Sequence, residues 1–195
     1  MRMSREAKAQ SKTRILNAAS KMVRERGIDA ASVAEVMQAA GMTNGGFYRH
    51  FQSKEEMVAL AIRAAFDEIA DRFDKRLEQS GAAAAIEAYV EEYLSKRHLE
   101  HPGHGCPVAG AGTDAGRFHG AYSEEFIAGT EKLIQRLSAA EGGIAAASER
   151  ARAIRRLLML VGAVVTARAV GPGALGEEII AACIDEFTGH APEKG

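Results

Sequence analysis

Apolar positions recur at helical spacing along most of the chain. Ser11 to Arg26 carries Ile15, Leu16, Ala19, Met22 and Val23 on one side, and Gly27 stops it. Residues 1–10 are polar and basic and read as a frayed arm. After Ser32, Val33, Val36, Met37 and Ala40 fall at i, i+3, i+4 and i+7, the spacing of one buried helix face. Ser32 can cap that helix through its hydroxyl, and Gly41 ends it as a left-handed cap. Thr43 is placed as a second cap, before a short helix over residues 44–51 anchored by Phe47 and Phe51. Ser53 and Glu56 form a capping box ahead of Met57, Val58, Leu60 and Ala61. That helix runs to about Gln79 and breaks at Ser80-Gly81.

The second half repeats the theme. Ala82 to Leu99 is a helix with Ile86, Tyr89, Val90, Tyr93 and Leu94 apolar. His98 to Gly120 is irregular, with Pro102 and Pro107, and a short helix from Cys106 to Gly112 inside it. Tyr122 to Ala140 turns Phe126, Ile127, Thr130, Leu133, Ile134 and Leu137 inward. Glu141-Gly142-Gly143 is a turn. Glu149 to Val170 and Gly176 to Phe187 are the last helices, divided by Gly171-Pro172-Gly173. The expected class is all-α: a helix–turn–helix head over residues 1–54 and a larger helical domain over 55–195.

The short helix after Thr43 is informative because of its glycines. Gly45 and Gly46 each cost roughly 1 kcal/mol relative to alanine inside a helix. A helix that must bring its backbone against another surface can use them, because glycine removes the side chain that would hold that surface away. The other reading is a loop, but Phe47 and Phe51 keep helical spacing. Adjacent helical residues point about 100° apart, so Tyr48 cannot share the buried face with Phe47.

At these residues the chain resembles a family. Ile15-Leu16-x-Ala18-Ala19, Gly27, Ser32-Val33-x-x-Val36, Ala40-Gly41 and Phe47-Tyr48-x-His50-Phe51-x-Ser53-Lys54-Glu55 are similar to the DNA-binding domain of the tetracycline-repressor (TetR) family. The likeness is dense over residues 10–60, and FYRHFQSKEEM is its most specific piece. It implies a dimeric repressor that binds a palindromic duplex operator and releases it on binding a small, mostly apolar effector. By resemblance, Thr43, Asn44, Gly45 and Gly46 face base edges. Tyr48, His50 and Lys54 clamp phosphates, and Ser32 brings a helix N-terminus to another. Hydroxyls, helix-start N–H groups and a lysine ammonium suit phosphate oxygens, and Asn44 can pair with an adenine edge. Arg49 can read guanine or pair with an acid.

Charge distribution agrees. The net charge of the 195 residues is −1, but residues 1–54 hold ten Lys and Arg against four Asp and Glu. The remainder holds fifteen against twenty-two, so the positive field belongs to the head. The start MRMSREAKAQSK lacks an apolar core, and the longest apolar run, Leu157 to Ala167, falls short of the roughly twenty residues of a span. With Cys106 and Cys183 far apart and no CxxC, a cytoplasmic protein with reduced thiols is expected, with no membrane contact.

The rest of the chain leaves choices open. Phe66, Tyr89, Tyr93, Cys106, Tyr122, Phe126 and Met159 can line an effector pocket or fill a core. Leu157, Leu158, Val161, Val164, Val165, Ile180, Ile184 and Phe187 form stripes on the last two helices. The resemblance makes those stripes a four-helix dimer interface, and the alternative is burial inside one chain. His98, His101, His104 and Cys106 are chemically plausible metal ligands, yet no known zinc spacing is present and a solvated loop serves as well. Cys106 at a helix start could be a reactive thiol or a small buried residue. Arg24 and Arg26 read as a solvated face, whereas Lys12 and Arg14 can reach phosphate. The rival to a regulator is therefore a small helical enzyme or a thiol- or metal-binding protein built on the His98–Cys106 loop. No cofactor, metal or catalytic set is legible.

Overall fold

A computed structural model describes residues 5–140 and 147–188, and all regular elements among them are helical. In chain order these are α1 (Arg5–Arg26), α2 (Val33–Ala39), a 3₁₀ segment (Asn44–Arg49), α3 (Lys54–Tyr93), α4 (Lys96–Glu100) and a 3₁₀ turn (Pro102–His104). Then come α5 (Pro107–Ala115), α6 (Ala121–Ala140), α7 (Ala147–Val170) and α8 (Ala174–Thr188). The turn expected at Glu141-Gly142-Gly143 lies outside the described residues.

Packing divides the chain into two compact units that differ from a split at residue 54. One holds residues up to Glu68 together with Pro102–Thr130; the other holds Ile69–His101 and residues from Glu131 onward. In the first unit α1 packs against α2, α5 and the Pro102–His104 turn. Its core is Ile15, Ala19, Val23, Val36, Met37, Phe47, Phe51, Met57 and Ile62, all close to fully buried. The α1 helix starts six residues earlier than the apolar pattern alone requires. Residues 5–10 are helix rather than a frayed arm, because Arg5, Glu6, Ala7, Lys8, Ala9 and Gln10 are all good helix formers.

Arg24 corrects the sequence reading more sharply. It is only 4% exposed, and its guanidinium donates to the carbonyls of Ser20 (3.3 Å) and Gly105 (3.0 Å) and to the Glu68 carboxylate (3.1 Å). The chain needs space to come this close. A Cβ on Gly110 of α5 would lie 2.7 Å from the Arg24 carbonyl oxygen. Asp114 of α5 accepts from the Ile28 N–H at 3.2 Å, just beyond the end of α1. The stretch after His98 is thus not a solvated loop. Its residues 102–115 are short helical pieces seated on α1.

The second unit is built on aromatic and aliphatic packing. Phe73, Tyr89 and Tyr93 form a run of ring contacts at 5.6 Å spacing, and the Tyr93 ring meets His98 edge-on at 4.7 Å. Helix α7 packs on α8 and α4, with Leu157, Leu160 and Val164 buried. α3 breaks at Gly81 (φ 79°, ψ 174°), a conformation glycine tolerates, so the interruption expected at Ser80-Gly81 is present. The helix expected to run on to Leu99 stops at Tyr93, because Ser95 caps a new one. Its hydroxyl donates to the Glu92 carbonyl and accepts from the His98 N–H. On α6, Ile127 is 70% exposed instead of inward, while Phe126, Leu133, Ile134 and Leu137 are buried as the pattern requires.

Candidate nucleic-acid interface

The head is assembled from two linked caps. Ser32 accepts a hydrogen bond from the Glu35 N–H (3.3 Å) and donates to the Glu35 carboxylate (2.7 Å). Gly41, at φ 69°, ends α2, and the Met42 N–H returns to the Met37 carbonyl (2.8 Å). This closed turn delivers the chain to Thr43, which sits at the cap position without a side-chain cap bond.

The segment that follows is a 3₁₀ helix where the spacing predicts a short α-helix. Gly46 N–H donates to the Thr43 carbonyl and His50 N–H to the Phe47 carbonyl, both three residues back. Six residues with two glycines have little intrinsic preference for the α form, and the tighter turn suffices. Phe47 and Phe51 still point inward and stack with centroids 5.6 Å apart. In a 3₁₀ helix residues three apart eclipse, so Gly45 lies under Tyr48 on one side. Tyr48 is 80% exposed, and Thr43, Asn44, Gly45 and Arg49 are exposed with it. Gly46 is half-buried, a Cβ there meeting Met37 Cε at an ordinary 3.6 Å.

Three of the expected contacts are qualified by their surroundings. Lys54 is half-buried and donates to the Asp29 carbonyl at 3.0 Å, tying the start of α3 to the α1–α2 loop. An ammonium has three N–H groups, so two stay available. The Ser32 hydroxyl makes both of its bonds to Glu35 and serves as the cap of α2. Arg26, exposed as expected, also pairs with Glu35 at 3.4 Å. His50 is the clear correction. Only 8% exposed, it has a buried Nδ1 with no hydrogen-bond partner among the described residues. Burial pushes its pKa down, and the charges of Lys8, Lys12 and Arg49 push the same way. It stands behind the surface that Tyr48 and Arg49 present.

A family model described as bacterial regulatory proteins, tetR family, matches residues 15–61, the stretch just described. Residues 15–61 thus form a TetR-type head. It is 30% identical over 91 residues to the uncharacterised HTH-type transcriptional regulator YfiR of Bacillus subtilis, covering 47% of this chain and 44% of that protein. It is 34% identical over 85 residues to the HTH-type transcriptional repressor KstR2 of Rhodococcus jostii, covering 43% of this chain and 41% of that one. The chain thus spans less than half the length of these curated relatives. The fold extends further. A TetR-family regulator from Cytophaga hutchinsonii superposes with a TM-score of 0.77 over 100% of both chains at 16% identity. The reduced form of E. coli NemR does so with 0.73 over 89% of this chain and 95% of that one at 20% identity.

Outside this TetR-type head the expected sites are less gathered. Phe66, Cys106, Tyr122 and Phe126 belong to the first packing unit, and Tyr89, Tyr93 and Met159 to the second. Phe66 and Phe126 meet edge to face at 5.6 Å, with Gly129 making room for the Phe66 ring. Cys106 is buried at the start of α5, Tyr122 is half-buried, and Met159 lies on the surface. None of these residues lines the cavity of about 660 Å³ in the second unit, which lies among α4, the end of α7 and the start of α8. Leu94, Leu99, Ile180 and Ile184 supply much of its apolar wall. Of the dimer stripe, Leu158, Val165 and Ile184 are exposed, and Val161, Ile180 and Phe187 are half-buried. Leu157 and Val164 are buried within the second unit and leave no surface for a partner. His98 Nδ1 lies 2.6 Å from the Tyr93 carbonyl, and burial lowers its pKa to about 4. No group of three or more His, Cys, Asp or Glu positioned for a metal is found among the described residues. No described helix is long and apolar enough to cross a membrane.

Proposed function

We propose that the chain is a transcriptional regulator of the repressor kind, a cytoplasmic homodimer that binds a palindromic duplex operator and releases it when a small, mostly apolar effector binds. The observation that carries this is the exposed step of Asn44, Gly45, Tyr48 and Arg49, held rigid by Phe47 and Phe51 beneath and by two helix caps beside it. Its place is that of a recognition helix, with small and polar groups for base edges and hydroxyl and cationic groups for phosphates. Relatives over this region are named as HTH-type transcriptional regulators and repressors.

One such segment reads few base pairs, so a dimer with heads about 34–36 Å apart supplies specificity. The exposed Leu158, Val165 and Ile184 support a partner there. A solution mass twice that of the 20.8 kDa chain is expected. Effector binding would favour a state whose heads no longer match the half-site spacing. The cavity of about 660 Å³ has the size of a small-molecule site. Thiol modification at Cys106 is a second release route, and faster alkylation of Cys106 than of Cys183 is the result it requires. The rival metal-site reading has less support, because His98 Nδ1 faces the Tyr93 carbonyl at 2.6 Å.

Selecting genomic duplexes with the purified protein tests the proposal and yields the operator. Tyr48→Ala and Lys54→Ala should each weaken binding to selected and unrelated duplexes alike, and Lys54→Ala should also flatten the dependence on salt by about one phosphate contact. Unaltered affinity and slope in both variants would remove the assignment.

A further inference from the structure

The cavity among α4, the end of α7 and the start of α8 lies wholly within the second packing unit. Its apolar wall is aliphatic. Leu94, Leu99, Ala167 and Ile180 face it, and no aromatic side chain is among the described residues that line it. One end is closed by backbone. Gly171 (φ 77°) and Gly173 (φ 151°) turn the chain there, and a Cβ on Gly176 would lie 2.9 Å from the Gly171 carbonyl oxygen. A flat aromatic ligand gains specifically from rings to stack on, and these walls offer none. A flexible saturated chain needs only aliphatic contact.

Among the described residues, four charged side chains border this cavity, and they are not equivalent. Lys96 and Glu100 lie one turn apart on α4 and pair with each other at 3.6 Å, with side chains 85% and 54% exposed. Charges so open to water are screened and hold a ligand weakly. Glu177 is exposed in the first turn of α8, where the N–H groups of the helix offset its charge. Arg168 is set deeper. It is half-buried, and two carbonyls at the end of α4 aim its guanidinium: Nε donates to Leu99 O at 3.2 Å, and Nη2 donates to His98 O. Both of these acceptors are neutral, and a guanidinium carries five N–H donors. A cationic wall group held in place at the inner side of an aliphatic cavity favours an anion there and repels a cation.

We propose that this cavity takes an unbranched aliphatic carboxylate of medium chain length, with its carboxylate on Arg168 and its chain along Leu94, Leu99, Ala167 and Ile180. The proposal rests on the effector-responsive function set out above and names the class of that effector. The volume of about 660 Å³ is that of a site for one small molecule. An alcohol of the same length keeps the apolar contact and loses the charge. An alkylammonium lays its own charge against Arg168.

Calorimetric titration of the full chain compares octanoate, decanoate, decan-1-ol and decylamine, all below the concentrations at which they form micelles. Saturable binding of a single decanoate is expected, tighter than octanoate by about fourfold for each added methylene. Decan-1-ol should bind about tenfold more weakly than decanoate, and decylamine more weakly still. Arg168→Gln should bring decanoate down to the level of decan-1-ol and leave the alcohol unchanged. That variant also gives up the bonds to the end of α4, so Ala181→Phe supplies a second measurement. Ala181 is exposed on α8 and lines the cavity, so the larger side chain takes up its space, and decanoate should weaken more than octanoate. Equal affinity for acid, alcohol and amine overturns the proposal, as does wild-type decanoate binding in both variants. A wild type that binds no decanoate overturns it whatever the protein does with DNA. Release of a selected duplex is followed separately. Decanoate that binds as described and leaves the duplex bound supports the site and overturns the effector step of the proposed function.

Discussion

Replacing Gly45 by leucine should hold or raise the thermal stability of the chain, by up to about 1 kcal/mol, and weaken duplex binding by about tenfold or more. The two halves of that expectation come from different facts. Gly45 is exposed, its φ is not in the left-handed region, and a Cβ built on it meets no atom within 4 Å. Nothing within the chain asks for glycine there, and a glycine in a helical segment loses roughly 1 kcal/mol against alanine. A residue that costs stability without an internal reason points to an external one. In the 3₁₀ geometry Gly45 lies under Tyr48, so a leucine would fill the step between the backbone and the tyrosine ring. A tenfold loss corresponds to about 1.4 kcal/mol, modest for pushing a helix start away from a base edge. Melting curves and duplex titration on the same sample measure both halves. Wild-type affinity in Gly45→Leu would show that the glycine has no role at the interface.

Arg24→Ala should have the opposite signature, a large loss of stability reaching far beyond one side chain. The guanidinium is almost fully buried, and it joins α1 to the Gly105 carbonyl and to Glu68 on α3. Its removal leaves the buried Gly105 backbone oxygen without that donor and opens a gap beneath the Pro102–His104 turn. Glu68 is itself 40% exposed, so the loss falls on the buried carbonyl left without its donor and on lost packing, together about 2–3 kcal/mol. For a chain of this length, each kcal/mol lowers the melting temperature by about 2–4 °C. Arg24→Lys should recover little, because an ammonium cannot reproduce the planar fork that spans two carbonyls and a carboxylate. Calorimetry on the two variants decides the matter, and a melting point within a degree or so of wild type would refute it.

The comparison of Arg24 with Gly45 shows what the sequence does and does not disclose. Gly45 stood out because the signal is local: two glycines inside a run that keeps helical spacing. The caps were legible for the same reason, since Ser32 with Glu35 and Ser53 with Glu56 follow the one pattern a helix start requires. Both Ser32 and Ser53 make the expected bond to the backbone N–H three residues on. Arg24 was missed because its partners at Gly105 and Glu68 are distant in sequence, and a basic residue on a helix is ordinarily solvated. His50 was missed similarly. Its register on the short helix is polar, but the Phe51 ring and the first turns of α1, whose sequence alone suggests a loose arm, lie against it. The 3₁₀ form of residues 44–49 lies below the resolution of periodicity, because 3.0 and 3.6 residues per turn scarcely diverge over six residues. The aromatic residues of the middle helices had the least information in them, since the same side chains pack a core or line a pocket. Here Phe66 with Phe126, and Tyr89 with Phe73 and Tyr93, are close ring pairs.

The seating of residues 102–115 on α1 bears on how such chains can be recombined. The polypeptide visits its first packing unit twice, leaving after Glu68 and returning at Pro102. A chimaera that took only the opening sixty residues from one family member and the body from another would pair Arg24 with a foreign turn and Ile28 with a foreign helix. The transplant that preserves the junction carries both visits, and the loop bearing Cys106 travels with the reading head.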